Sequence, residues 1–269
     1  GGRVTLESQM PGLAAWARVR DYRSYQLSQL PNVEIYRESQ VNAADVIEFG
    51  AQQVAIATGA EWRRDGVGRN HQLPIPGTDG GNLFTPDDIM RGNLPTGAVL
   101  VYDDDHGYLS SVVAEQLVAN GCEVILATPA GVVATWTEQT LEQHRIQARL
   151  LELEVTLVTS HTLKSVDTDR ATLACYYTGR EQIVETASVV LVTSRLPRVE
   201  LYEGLAADPD RLESAGIATL KAIGDCHGPA TIAAAVYEGH RFARELGETA
   251  AEIPFRREVV ALSGEFDLP

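Results

Sequence analysis

Two strand ends that lie far apart in the sequence carry residue types suited to binding a nucleotide. The apolar stretch at residues 54–59 ends in Thr58 and Gly59, and the apolar stretch at residues 220–224 is followed by Asp225. Glycine lets a phosphate approach the backbone, and an aspartate at a strand end accepts hydrogen bonds from sugar hydroxyls. Either end alone also fits an ordinary turn glycine or a loop cap. Because the two ends match, they predict one nucleotide site over neighbouring parallel strands.

The first residues of the chain, Gly1 and Gly2, form another place where a ligand could approach the backbone closely. The functional interpretation is contact with the ribose and phosphates of the same nucleotide, and the alternative is a flexible chain end. A helix predicted to begin near residues 229–231 would direct its N-terminus towards the same anion.

A second unit shows the pattern strand–helix–strand over residues 98–127, but its loop opposes nucleotide binding. Nucleotide-binding units of this kind carry the motif G-x-G-x-x-G after their first strand. Residues 103–108 instead read Asp-Asp-Asp-His-Gly-Tyr, so one glycine remains and three carboxylates would repel a pyrophosphate. We predict that this unit has lost its nicotinamide nucleotide. A metal site made by Asp103, Asp105 and His106 lacks a second group of ligands, so no metal site is predicted.

The helices and strands that position these residues follow from hydrophobic periodicity and from helix caps. Asn42, followed by an acidic residue three positions later, predicts the start of a helix that Gly50 ends. Residues 33–36 alternate like a short strand. Residues 13–30 predict a helix whose apolar residues form one buried stripe, made by Leu13, Trp16, Val19, Tyr22, Leu27 and Leu30.

The remaining segments complete an alternation of strands and helices. Residues 60–97 are rich in Gly and Pro and predict a connection with one short helix, capped by Thr85 and started by Pro86. Residues 197–215 resemble a linker, and the tail after residue 254 is irregular. The helix at 231–246 is predicted to bury Ile232, Ala235, Val236, Phe242 and Leu246. The other predicted elements are helices at 110–120 and 141–151, strands at 98–102, 123–127, 155–158, 189–194 and 220–224, and an antiparallel hairpin or meander at 171–177 and 182–186.

Composition excludes several classes of function. The chain has 269 residues and a net charge of −15, which argues against binding to nucleic acid. No apolar run approaches the roughly 20 residues that cross a membrane. Three separate cysteines without a C-x-x-C motif indicate free thiols in a reducing compartment, and we expect a cytoplasmic protein. No G-x-S-x-G motif supports a hydrolase, and no catalytic residue is predicted.

Several stretches together resemble one family of enzymes over essentially the whole chain. They are 13–22 (LAAWARVRDY), 54–60 (VAIATGA), 73–77 (LPIPG), 101–108 (VYDDDHGY), 140–151, 191–197 (LVTSRLP), Gly224-Asp225 and 254–258 (PFRRE). The chain resembles the C-terminal half of the trimethylamine dehydrogenase family. That family includes dimethylamine and histamine dehydrogenases and is related to NADH:flavin oxidoreductases such as 2,4-dienoyl-CoA reductase.

The resemblance implies an α/β fold with two Rossmann-like domains of the disulfide-reductase FAD/NAD-binding type, the second inserted in the first. Residues 1–97 and 215–269 would form an ADP- or FAD-binding domain that lacks its first βα unit. Residues 98–214 would form the inserted NAD-binding-like domain with its degenerate glycine motif. By motif, the cofactor-binding residues would be Gly1, Gly2, Arg3, Ala57, Thr58, Gly59, Gly224 and Asp225.

The resemblance also implies the larger enzyme to which such a chain would belong. An N-terminal TIM-barrel half would carry FMN and a 4Fe-4S cluster and would oxidise a small amine. Electrons would pass to an electron-transfer flavoprotein, and the full-length enzyme would be a homodimer. The part in hand would bind ADP structurally and would be inactive alone.

The chain departs from the family pattern at its start, where the first strand and glycine loop of the nucleotide domain are missing. We therefore expect a proteolytic or incomplete piece of a longer protein, in which the nucleotide binds weakly or not at all. Two alternatives remain open at this point. One is part of an NADPH-dependent flavin reductase of the 2,4-dienoyl-CoA reductase type, and the other is a non-catalytic Rossmann-like interaction module.

Overall fold

The computed structural model describes residues 1–247, which form a mixed α/β protein with parallel sheets. The helices are α1 (Gly2–Glu7), α2 (Ala17–Ser28), α3 (Ala43–Phe49), α4 (Pro86–Met90), α5 (Leu109–Ala119), α6 (Gln143–Glu152), α7 (Glu200–Ala206), α8 (Pro209–Ser214) and α9 (Ile232–Glu245). Short 3-10 helices cover Ala14–Trp16, Thr135–Glu138 and Gly224–Cys226. The strands are β1 (Gln53–Ile56), β2 (Ala60–Trp62), β3 (Leu83–Phe84), β4 (Ala98–Asp103), β5 (Glu123–Ala127), β6 (Thr156–Val158), β7 (His161–Val166), β8 (Arg170–Cys175), β9 (Glu181–Glu185), β10 (Ser188–Val192), β11 (Arg195–Pro197) and β12 (Thr219–Ala222).

A five-stranded parallel sheet in the order β3-β10-β4-β5-β6 forms the larger core. The central strand β4 is covered on both faces, as its unbroken apolar sequence requires. Val99 and Val101 pack with helix α5, whereas Leu100 and Tyr102 pack with the antiparallel sheet β7-β8-β9. All four side chains are fully buried. The predicted strand–helix–strand unit at residues 98–127 is confirmed.

A separate parallel pair, β1 and β12, brings the two predicted strand ends together. Gln53 to Ile56 pair in register with Thr219 to Ala222. Because parallel strands point the same way, residues 57–59 and 223–225 leave the same edge of this pair. The prediction that these ends are neighbours is confirmed.

Local caps fold as their sequences predicted. The Asn42 side chain accepts hydrogen bonds from the first turn of α3, Asp45 accepts from the Asn42 backbone, and Gly50 ends the helix at φ 68°. Thr85 caps α4 with Pro86 in its first turn. These signals act within four residues, so they do not depend on the rest of the fold.

Several predictions of burial and secondary structure were wrong. Residues 33–36 form irregular backbone, because they join no sheet among residues 1–247. Helix α2 has no buried residue: Tyr22 is 60% exposed, and Leu27 and Leu30 are also exposed. Helix α9 likewise buries none of its residues, and Val236 and Leu246 are exposed. The segment 197–215, predicted to be a linker, contains α7 and α8.

The division into residues 1–97, 98–214 and 215–269 stays a prediction. Strand β3, which precedes residue 98, pairs with β10 of the five-stranded sheet. The antiparallel pair β2 and β11 contains the two connections between that sheet and the β1–β12 pair. The predicted irregular tail and residues 254–258 lie outside the described residues. Within residues 1–247, no helix combines the length and apolar character that crossing a membrane requires.

Candidate functional site

A cleft of about 830 Å³ lies between α1, α2, α9 and the ends of β1 and β12. Its size falls within the range of small-molecule sites in proteins. The cleft brings together most of the predicted cofactor residues, namely Gly1, Gly2, Arg3, Ala57, Gly59, Gly224 and Asp225. Thr58 does not line it, because its hydroxyl points elsewhere and donates to the carbonyl oxygen of Arg198 at 2.5 Å.

The two strand-end glycines adopt left-handed backbone conformations. Gly59 has φ +82° and Gly224 has φ +62°. Around Gly59 a Cβ would meet nothing within 4 Å, so its conformation, not crowding by the protein, favours glycine there. A Cβ on Gly224 would touch only Ala235 of α9, at 3.6 Å. Both glycines therefore keep the cleft floor free of side chains.

Asp225 is held by two arginines at the edge of the cleft. Its Oδ2 accepts hydrogen bonds from Arg3 Nη1 at 3.1 Å and from Arg195 Nη1 at 2.7 Å. Its Oδ1 accepts from the backbone N–H of Ala230 at 3.1 Å, which caps the loop before α9. Asp225 therefore caps the loop, as the alternative interpretation of the sequence suggested. The same carboxylate also pairs with two arginines.

A buried chain of polar contacts runs from Arg3 through Glu7 to Tyr108, which lies in the loop between β4 and α5. Glu7 is fully buried, and its carboxylate accepts from Arg3 Nε and from the Tyr108 hydroxyl, the latter at 2.7 Å. Burial opposes the charge on Arg3, but the Glu7 and Asp225 carboxylates outweigh it and raise the pKa of the guanidinium. Burial, and then Glu7, raise the pKa of Tyr108, so its phenol stays protonated and donates.

Two further arginines line the same cleft, and one further carboxylate contacts a residue of its lining. Arg20 and Arg23 line it together with Arg3, so its wall is positive although the chain is acidic overall. On α9, Glu238 accepts from the backbone N–H of Gly224 at 2.5 Å and contacts His227 Nδ1 at 2.8 Å. Positive groups around a concave surface favour an anionic ligand.

The sequence interpretation missed Glu7, Tyr108, Arg195 and Glu238. One signal was available, because Glu7 follows Arg3 by four residues and such pairs face each other on a helix. Arg195 and Tyr108 meet their partners only through the fold, so no local pattern identifies them.

Other residues of the chain occupy the space beside the acidic loop at residues 103–108. Asp103 and Asp104 are fully buried at the end of β4. Asn70 donates to Asp104 from its backbone N–H, at 2.9 Å, and from its side-chain amide. Gly68 passes so close to the Asp104 carboxylate that a Cβ would clash with it. The segment 68–71 therefore covers the carboxyl ends of β4 and β10, the edge at which ligands bind to parallel sheets.

No metal-binding group is found in the part of the chain that the structure describes. Among residues 1–247, no three His, Cys, Asp or Glu side chains come together closely enough to hold an ion. The cysteines Cys122, Cys175 and Cys226 are free thiols.

Asp103 should make the stability of the chain depend on pH. Its Oδ1 accepts from the His106 N–H at 2.9 Å, but its buried Oδ2 has no partner among the described residues. Burial raises its pKa to about 7. The folded state therefore binds a proton that the unfolded state has already lost, so this contribution to stability is present at acid pH and is lost as the pH rises through 7.

Asp103→Asn should remove that loss. Between pH 5 and pH 8 the unchanged chain should lose about 2 kcal/mol more of its free energy of unfolding than the variant does. Urea denaturation at both pH values measures it, with the exposed Asp169→Asn as the matched control. An equal difference between variant and unchanged chain at both pH values would contradict the prediction.

Comparison with known proteins identifies related chains. Residues 84–193 match the family described as the OYE-like second alpha/beta domain. Dimethylamine dehydrogenase of Hyphomicrobium sp. (strain x) is 32% identical over 286 residues, which cover 96% of this chain and 39% of that protein. The structure of histamine dehydrogenase from Rhizobium sp. 4-9 is 44% identical with a TM-score of 0.92, over 98% of this chain and 41% of that one.

A third relative is 6-hydroxypseudooxynicotine amine oxidase from Pseudomonas geniculata N1. Its structure is 40% identical with a TM-score of 0.89, over 92% of this chain and 37% of that one. The chain thus spans about two fifths of the length of these relatives. The resemblance predicted from the sequence is confirmed: the chain is homologous to the C-terminal part of dimethylamine and histamine dehydrogenases.

Proposed function

We propose that this chain is the nucleotide-binding C-terminal part of a flavin- and iron–sulfur-dependent amine dehydrogenase. The observation that carries the proposal is the agreement with histamine dehydrogenase over 98% of the chain, at 44% identity and a TM-score of 0.92. The whole enzyme would oxidise a small amine by N-demethylation or deamination. FMN and a 4Fe-4S cluster, held in an N-terminal TIM barrel, would supply the redox chemistry.

The residues of the cleft fit an ADP-like ligand. The volume of about 830 Å³ accommodates a nucleotide, and Arg3, Arg20 and Arg23 supply positive charge for its phosphates. Gly59 and Gly224 leave the backbone open at the strand ends. The proposed binding set is Gly1, Gly2, Arg3, Ala57, Thr58, Gly59, Gly224 and Asp225, with Thr58 outside the present cleft lining.

In this proposal the chain consists of two Rossmann-like domains, the second inserted in the first. The β1–β12 pair belongs to the nucleotide domain, and the five-stranded sheet belongs to the inserted one. The residues of this part bind and orient the nucleotide and take no part in making or breaking bonds of the amine. The proposal also includes a cytoplasmic homodimer that passes electrons to an electron-transfer flavoprotein.

The inserted domain would bind no nicotinamide nucleotide. Asp104, Asn70 and Gly68 fill the sheet edge where a pyrophosphate would have to lie. This packing favours the amine dehydrogenase over the NADPH-dependent flavin reductase, which needs that edge open. A non-catalytic interaction module would need no nucleotide at all, so nucleotide content separates it from the leading proposal.

Nucleotide release from the full-length protein tests the proposal. The purified protein is denatured, and the supernatant is analysed by liquid chromatography with mass detection. We expect one ADP per chain, together with FMN and no FAD. FAD with tight binding of NADPH would favour the reductase. A protein without any nucleotide would contradict the ADP site and support the interaction module.

A further inference from the structure

We propose that Tyr108, in the loop between β4 and α5, is a positioning residue for the nucleotide in the cleft. It acts through Glu7, which holds Arg3 against the cleft wall. This inference rests on the proposed nucleotide site and assigns a role to a residue that does not line the cleft.

The contacts form an unbroken relay from the second unit to the cleft. The Tyr108 hydroxyl donates to Glu7 Oε2 at 2.7 Å, and Glu7 Oε1 accepts from Arg3 Nε. Arg3 Nη1 then donates to Asp225 Oδ2 at 3.1 Å, and both Arg3 and Asp225 line the cleft. The guanidinium is thus held at two of its nitrogens.

Burial makes the relay rigid. The Glu7 side chain has no exposed surface, so the Tyr108 hydroxyl and Arg3 replace the water that its carboxylate would otherwise need. The Tyr108 ring packs against Trp16, with ring centroids 4.9 Å apart, which fixes the direction of the hydroxyl. The Arg3 side chain remains 27% exposed, so it can meet a ligand in the cleft.

A fixed arginine binds a phosphate more tightly than a mobile one. An unrestrained arginine loses rotamer freedom when it binds, whereas a pre-positioned one has already lost it. Holding Arg3 in place should therefore increase affinity for the charged part of a nucleotide and leave affinity for its nucleoside part unchanged.

Tyr108 lies at the end of the acidic loop that stands where a nucleotide-binding unit carries its glycines. In this loop the side chains of Asp103 and Asp104 are fully buried, whereas the Tyr108 hydroxyl donates to Glu7 of α1. The loop at residues 103–108, which does not fit a phosphate itself, would thereby support phosphate binding by Arg3 in the cleft.

Tyr108→Phe in the full-length protein tests the role. The variant keeps the ring and removes the hydroxyl, and bound ADP should exchange with labelled ADP about fivefold faster. The control is Tyr202→Phe on α7, a half-buried tyrosine outside the relay, which should change the rate less than twofold. Glu7→Gln, which weakens both links of the relay, is the second variant and should accelerate the exchange at least as much as Tyr108→Phe.

Two further measurements separate positioning from a merely structural effect. The affinity of the nucleotide-free protein for adenosine, which lacks phosphates, should be the same in Tyr108→Phe and in the unchanged protein. In an Arg3→Ala background, Tyr108→Phe should cause no further acceleration, because the two residues act through one contact. Equal acceleration with and without Arg3 would contradict the role.

The outcomes distinguish this inference from the proposed function. An unchanged protein that holds no nucleotide contradicts the nucleotide site and, with it, the role of Tyr108. An unchanged protein that holds ADP, while Tyr108→Phe exchanges it no faster than Tyr202→Phe, contradicts the role of Tyr108 alone.

Discussion

Replacing Gly77 by alanine is expected to lower the free energy of unfolding by about 3 kcal/mol. Gly77 has φ +86°, a conformation that alanine adopts only with strain. A Cβ at this position would overlap the carbonyl oxygen of Val166 and lie 2.9 Å from its carbonyl carbon. The obstacle is backbone of strand β7, so no change of rotamer relieves it. Val166 is held there because its N–H donates to Pro76 at 2.9 Å.

Gly92→Ala is the matched control for this prediction. Gly92 has nearly the same φ, +82°, but a Cβ there would meet nothing within 4 Å. Alanine at Gly92 should therefore cost only the backbone strain, about 1 kcal/mol. Urea denaturation followed by circular dichroism gives both values. If the two substitutions cost the same, the contact between Gly77 and Val166 does not limit stability.

The parts of the fold that the sequence predicted correctly depend on short-range signals. Strands β4, β5 and β10 are mainly apolar, and the burial of most of their residues follows from that composition. The capping box at Asn42 acts within a single helical turn. The sequence predicted that the strand ends at residues 54–59 and 220–224 lie together, because parallel strands that bind one nucleotide share one edge, and the pairing of residues 53–56 with 219–222 brings them there.

The predictions that failed needed information about a neighbouring element. An alternating or amphipathic pattern indicates that a face is apolar, but not which element covers it. Tyr22 on α2 and Val236 on α9 fit such patterns and yet line the open cleft, where they are exposed. Residues 33–36 alternate as a strand does, but backbone forms a strand only beside a partner.

The candidate site could be predicted only in part for the same reason. Its glycines and Asp225 end recognisable strands, so the sequence identifies them. The contact between Arg3 and Asp225 spans 222 positions along the chain, and that between Arg195 and Asp225 spans 30. Neither spacing corresponds to a helix or a hairpin, so the ion pairs that shape the cleft edge emerge only from the tertiary fold.

Removing Asp225 should be the most damaging change at this edge. Asp225→Ala leaves Arg195, whose side chain is 11% exposed, without its carboxylate, and removes one partner of Arg3. It also leaves the Ala230 N–H without its acceptor. Truncating one member of a buried pair costs more than the pair contributes, because the other charge remains desolvated. We expect a loss of about 2–3 kcal/mol in the free energy of unfolding.

One further variant separates the effect of the Asp225 charge from that of its hydrogen bond to the Ala230 N–H, and an exposed ion pair serves as the control. Asp225→Asn keeps an oxygen for the Ala230 N–H but removes the charge, so its cost should fall between that of alanine and zero. Asp21→Ala removes an exposed partner of Arg20, with 59% of the Asp21 side chain exposed, and should cost less than about 0.5 kcal/mol. Urea denaturation measures all three. If Asp225→Ala cost no more than Asp21→Ala, the two arginines would find other partners when Asp225 is absent. The cleft edge would then be set by packing, whereas the predicted ranking would show that charge pairing with Asp225 sets it.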